Sequence, residues 1–105
     1  MKIVGVAACT AGIAHTFLAK EKLVQAAKDA GHQVKIETQG TIGTEDELSL
    51  KDIAEADVVI IAADISISGR DRFKEKQVIH IPTHIAIKSP KALMTKIETE
   101  LNASN

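Results

Sequence analysis

The chain reads as an α/β protein with an open, mainly parallel four-stranded sheet and helices on both faces. Three observations predict this. Four short apolar runs, most of them rich in Val and Ile, recur along the chain. Segments whose apolar residues fall at helical spacing alternate with them. One run, Val58 to Ala63, is apolar at every position, as a strand covered on both faces requires. Parallel neighbours need crossover connections, and helices supply these with a right-handed sense.

The first strand is predicted over Lys2 to Ala8, short and β-branched, with a Gly-containing segment straight after it. From about Thr16, Ala19, Leu23, Ala26, Ala27 and Ala30 fall on one helical face, and Glu21, Gln25, Lys28 and Asp29 on the other. Gly31 is the expected helix stop. Residues 33–38 alternate polar and apolar, which predicts a strand half exposed or near an edge, followed by a polar loop from Gln39 to Gly43. Ser49 caps a short helix through Leu50, Ile53 and Ala54. After the central strand, residues 64–75 read as a loop with one helical turn around Arg70 to Phe73. A fourth strand over residues 77–81 is closed by Pro82, and Ser89-Pro90 opens a last helix with Leu93, Met94, Ile97 and Leu101 inward. The arrangement is Rossmann-like or flavodoxin-like, with a phosphate loop after strand 1. In such sheets ligands bind beyond the carboxyl ends of the strands, where strand order reverses. That edge carries the loops after Ala8, Thr38, Ala63 and Ile81.

A length of 105 residues suits one domain, 1–105, with a single core. Its 45% apolar and 26% charged residues are the proportions of a globular protein and not of a disordered one. No apolar run approaches the length of a bilayer span, and Met1-Lys2 leading into a strand lacks the features of a signal peptide, so no direct membrane insertion is expected and the cytoplasm is the expected location. A net charge of −1, without Trp or Tyr, supplies neither a basic field nor stacking platforms, which excludes nucleic acid as a partner.

The one cysteine, Cys9, cannot form an internal disulfide and is free for chemistry. It ends the first strand, and Thr10, Ala11, Gly12, Ile13 and Ala14 bend the chain into the helix that begins near His15 and Thr16. Unpaired N–H groups at a helix start carry partial positive charge and hold an anion, whether a thiolate or a phosphoryl group. An isolated cysteine is most often an inert buried residue; the position of Cys9 reverses that reading. The C-x5-H-T spacing parallels the C-x5-R-[ST] loop of low-molecular-weight tyrosine phosphatases. Histidine replaces the arginine whose planar fork clamps phosphoryl oxygens, so transfer is favoured over hydrolysis.

The loop from Cys9 to Thr16 resembles the C-P-T-G-I-A-H-T loop of the fructose-family enzyme IIB of the bacterial sugar phosphotransferase system. Glu37-Thr38-Gln39-Gly40-Thr41-Ile42-Gly43 is similar to that family's E-T-Q-G-S-I-G segment. The strand from Ala56-Asp57 to Ala63-Asp64-Ile65 resembles its A-D-x-V-I-x-A-x-D-I, and Arg72-Phe73 followed by Lys76 its R-F-x-x-K. The resemblance implies that a phospho-histidine on an enzyme IIA partner phosphorylates Cys9, which then phosphorylates fructose or a related hexose held by a membrane enzyme IIC. It calls for no cofactor. Thr10-Ala11 departs from the family's Pro-Thr, removing a rigid φ restraint and shifting the threonine hydroxyl by one position.

Each further residue has a plainer reading beside the functional one. His15 is either a surface residue of the first helical turn or a group with a phosphate-contact or proton-handling role, and Thr16 a helix-terminal hydrogen bonder as well as a phosphate donor. Thr38 and Gln39 shape a turn or reach the site. Asp64 caps a following turn or hydrogen-bonds within the site. His32 is expected exposed; His80 and His84 make too few ligands for a metal, and none is assigned. Arg70, Arg72, Lys74 and Lys76 form a basic cluster, either a solvated face or a dock for an acidic partner. A phosphatase or arsenate reductase explains Cys9 and the spacing but not the missing arginine. A flavodoxin-like binding module lacks flanking aromatics.

Overall fold

The computed structural model describes residues 1–10, 13–40 and 43–104. Its elements run β1 (Lys2–Ala8), α1 (Ile13–Asp29), β2 (Gln33–Gly40), β3 (Gly43–Glu45), α2 (Leu50–Glu55), β4 (Val58–Ala63), a 3-10 turn (Arg70–Phe73), β5 (Val78–Ile81), α3 (Thr83–Lys88) and α4 (Pro90–Ser104). The sheet order is β3-β2-β1-β4-β5. β1 pairs in parallel with β2 and β4, and β4 with β5, while β2 and β3 are antiparallel.

The expected α/β class holds, and the strand count is corrected from four to five. The additional strand, β3, pairs antiparallel with the end of β2, so that both strands reach into the stretch 39–43 expected as a polar loop. It is three residues long and exposed throughout, so no alternation of burial marks it. The sequence also reads no helix over α3, six residues confined between Pro82 and Ser89-Pro90. Helix α1 starts at Ile13, ahead of the expected His15–Thr16, and Ala30 lies beyond its end and exposed.

Helix ends follow local chemistry. At the end of α1, Gly31 adopts φ 83°. Its N–H donates to Lys28 O and that of His32 to Ala27 O, the paired bonds of a Schellman stop. Ser49 and Asp52 form a reciprocal capping box on α2, as Ser49 predicts. Ser89 O accepts from Leu93 N at the head of α4, with Pro90 in the first turn.

Two cores sandwich the sheet. On one face α1, α3 and α4 bring Leu23, Ala86, Leu93, Met94 and Ile97 against Ile3, Ile36, Val58 and Ile60; Leu101 is partly buried there. On the other, Ile53 of α2 and Phe73 of the 3-10 turn cover Val4, Val6, Val59 and Ile61. Neighbouring positions of β1 and β4 serve opposite cores, hence their unbroken apolar sequences. Gly5, inside β1, faces the backbone of β4: a Cβ there would collide with the carbonyl oxygen of Ile60 and crowd Ile36 Cδ1 at 3.0 Å. Gly5→Ala is expected to cost about 2 kcal/mol by overpacking, read as a lower denaturation midpoint at unchanged slope.

His32 is corrected from exposed to largely buried. Its Nδ1 lies 3.1 Å from the Met1 amine and its Nε2 3.3 Å from the Glu98 carboxylate. Parallel pairing places Lys2 beside Gln33, so the residue after the Gly31 stop meets the start of β1.

Candidate functional site

Register assembles the site. Ala8 of β1 pairs with Ala63 of β4 on one side and with Gln39 of β2 on the other. The next residues, Cys9 and Asp64, therefore leave the sheet side by side, with Asp64 N donating to Ala8 O at 3.2 Å. β2 and β4 flank β1 and their connections depart in opposite directions, so Cys9 stands at the switch point of the sheet.

Cys9 is 9% exposed. Its Sγ donates to Asp64 Oδ2 at 3.1 Å and lies 3.1 Å from His15 Nδ1. With the thiol proton directed to Asp64, a protonated Nδ1 donates to the sulfur. Thr83 completes the group. Its N–H donates to Asp64 Oδ1 at 3.0 Å and its hydroxyl to Asp64 Oδ2 at 2.6 Å, with Oγ1 also 3.7 Å from the sulfur. These bonds, first from the Thr83 hydroxyl, then from the Cys9 thiol and the Thr83 N–H, hold the Asp64 carboxyl below its ordinary range and keep it ionised at neutral pH.

On the β2 side the sulfur borders an open cleft of about 630 Å³, lined among others by Thr16, Phe17, Thr38, Ile65 and Ser66. Thr16 and Thr38 are buried in its wall, and Thr10 is exposed at the rim. Ala14 is exposed and His15 half-buried on the first turn of α1, which Ile13 opens. Ala11, Gly12, Thr41 and Ile42 lie outside the described residues.

Gln39 reaches the site through the loop it holds. Its Nε2 donates to Glu37 Oε2 at 2.8 Å and to Ser68 O at 2.9 Å, and its Oε1 accepts from Ser68 N at 2.8 Å. Glu37 is 1% exposed on β2 and takes the guanidinium of Arg72 in a two-point contact of 2.9 and 3.0 Å, plus Leu48 N at 3.0 Å. Arg72 Nε in turn donates to Gly69 O at 2.7 Å. Burial alone would raise the Glu37 pKa. The bonds from Arg72, Gln39 and Leu48 and the guanidinium charge outweigh it and hold the carboxyl below its usual value. Segment 65–69, of which Ile65, Ser66 and Ser68 line the cleft, is thus clamped to β2 at Ser68 and Gly69 by Gln39 and by the Arg72 guanidinium paired with Glu37.

This clamp corrects the reading of the basic cluster as either a solvated face or a dock. Arg72 is committed to Glu37, and Lys76 Nζ donates to Ala54 O and Ala56 O at 3.0 and 2.9 Å, closing the end of α2. Arg70 and Lys74 remain exposed. The signal for the pair was present in Glu37, a carboxylate within a strand that needs a cation once buried. Thr83 went unread for another reason, since its role depends on β5 ending beside β4.

Comparison with known proteins places this geometry. Residues 4–96 match the family described as PTS system, lactose/cellobiose specific IIB subunit. The PTS system fructose-like EIIB component 2 of Escherichia coli (strain K12) is 47% identical over 100 residues, covering 95% of this chain and 94% of that one. The solution structure of an enzyme IIB subunit of the PTS system from Escherichia coli K12 superposes with a TM-score of 0.92 at 37% identity, covering 98% of this chain and 95% of that one. A domain of a fructose-specific IIABC component from Borrelia burgdorferi gives a TM-score of 0.84 at 38% identity, covering 90% of each chain. The motifs at Cys9, Glu37, Asp64 and Arg72 meet on one edge of a sheet with this architecture, and the chain belongs to the IIB family of the sugar phosphotransferase system.

Proposed function

We propose that Cys9 Sγ accepts a phosphoryl group from a phospho-histidine of an enzyme IIA partner and passes it to fructose or a related hexose held by a membrane enzyme IIC. One observation carries the reading: the sole thiol stands at the sheet's switch point, bordering an open cleft beside the head of α1. Family membership supports phosphoryl transfer in sugar uptake.

In the first step the N–P bond of the phospho-histidine breaks as the S–P bond forms, and the thiol proton passes to the freed imidazole nitrogen. In the second the S–P bond breaks, an O–P bond forms on the hexose, and the hydroxyl proton restores the thiol. The hydroxyls of Thr10 and Thr16, the His15 ring and the backbone at the head of α1 would cradle the phosphoryl oxygens. Thr38 and Gln39 shape the facing wall. In this scheme the 1–105 carrier domain works in the cytoplasm and hands its phosphate to a partner in the membrane; no helix among the described residues is long and apolar enough to cross a membrane.

The phosphoryl oxygens of a dissociative transition state need stabilising charge, and His15 stands where the phosphatase loop has arginine. The phosphocysteine should therefore persist in buffer and discharge when membranes carrying a fructose-type enzyme IIC and its hexose are added. The test is incubation with phosphoenolpyruvate, the general phosphotransfer proteins and a fructose-type enzyme IIA, then mass spectrometry of the intact chain and the Cys9 peptide. One phosphate on Cys9 with a long lifetime in buffer is expected. Rapid loss to inorganic phosphate without membranes, or steady turnover of aryl phosphates, would overturn the carrier reading in favour of a phosphatase.

A further inference from the structure

Asp64 has the wrong sign for an anion site. A group that receives a phosphoryl dianion is ordinarily surrounded by donors, yet a carboxylate oxygen lies 3.1 Å from the acceptor sulfur. The carboxylate is held there by the N–H and hydroxyl of the buried Thr83 at 3.0 and 2.6 Å, and its own N–H is tied to Ala8 O. β5 and the head of α3 thus hold this charge against Cys9. In the resting protein the contact is favourable, because the thiol has a proton to donate. Phosphorylation removes that proton. In its place stands a group carrying about −1.5 to −2 charges and only acceptor oxygens.

We propose that Asp64 destabilises the phosphocysteine relative to the free thiol and so raises the tendency of Cys9 to pass its phosphate on. The inference rests on Cys9 being the phosphoryl acceptor. Two effects act in one direction, loss of the S–H bond to Oδ2 and repulsion between the carboxylate and the phosphoryl oxygens. A carrier must take phosphate from one partner and surrender it to another, so a charge that limits how tightly it keeps the phosphate favours the second transfer at the expense of the first. Asp64 makes no bond to the partner or the sugar in this scheme; it acts through the sulfur, as a positioning residue.

The predicted sign is opposite to that of ordinary damage to a site. Asp64→Asn retains an acceptor for Thr83 N–H, removes the charge and adds a donor facing the sulfur. In equilibrium exchange between phospho-enzyme IIA and the chain, read by intact mass, the ratio of phosphorylated to free chain should rise by about tenfold or more. Discharge to membranes carrying enzyme IIC and hexose should slow. Asp64→Ala should raise the ratio in the same direction, and Asp64→Glu, which restores the charge, should bring it back toward the wild-type value. An unchanged or lower ratio in both neutral variants, with phosphate on Cys9 of the wild type, overturns the proposal and leaves the carrier reading intact. Phosphate absent from Cys9 of the wild type overturns both.

Discussion

A Cys9→Ser chain offered a phospho-histidine donor should take up no measurable phosphate, its rate falling by about a thousandfold or more. The hydroxyl is a far weaker nucleophile than the thiol, and no second thiol exists to substitute for it. The change removes little bulk from a site that is 9% exposed, and serine can keep the hydrogen bonds to Asp64 and His15, so the fold should survive. Intact-mass spectrometry after reconstitution measures the loss, with circular dichroism as the control for folding. Phosphate found on His15 of a folded Cys9→Ser chain would falsify the assignment of the acceptor. His15 Nδ1 lies 3.1 Å from the sulfur, so this is the substitution's most informative failure.

The second large effect is on stability. Glu37→Gln should cost about 3 kcal/mol, because it leaves the Arg72 guanidinium, whose side chain is 22% exposed, without its counter-charge. Glutamine can still accept from Leu48 N, but it offers one acceptor to a fork that now meets two. For a chain of this size such a loss lowers the melting temperature by more than about 10 °C. Arg72→Lys should recover only part of the wild-type stability when compared with Arg72→Ala, since a single ammonium cannot make the two-point contact.

The same pair dictates a pH dependence. Glu37 in the folded state has a pKa below its ordinary 4.5, so its contribution is fully present above that pH and is lost as the pH falls through the folded value. The stability gap between the wild type and Glu37→Gln should therefore close on acidification below pH 4.5 and stay constant above it. Urea midpoints across that range check this. A gap independent of pH would show that the carboxylate charge contributes nothing. Since residues 65–69 hang from this clamp, Glu37→Gln should also slow phosphate uptake on Cys9 without abolishing it.

Much of this molecule was decided by sequence alone. The apolar β1 and β4, the Gly31 stop, the Ser49 cap and the Ser89-Pro90 start are local matters of burial, backbone conformation and unpaired amides, and each stands where its residues put it. Cys9 at the end of the first strand before a helix start already marked the sheet edge that carries the candidate site. Tertiary structure decided what depends on residues distant in the chain. Asp64 reads as either a turn cap or a site residue until the β1–β4 register sets it beside Cys9, and Thr83 enters the site only because β5 ends next to β4. Glu37 and Arg72, 35 positions apart, read as a strand residue and part of a basic cluster until folding buried one carboxylate against one guanidinium. β3 and α3 were invisible because three exposed residues and six between prolines carry no period of their own; pairing to β2 and packing on the sheet make them. Local propensity can signal where a chain turns or which face it buries, whereas the partner of a charge is chosen by strand order and register, which no window along the sequence contains.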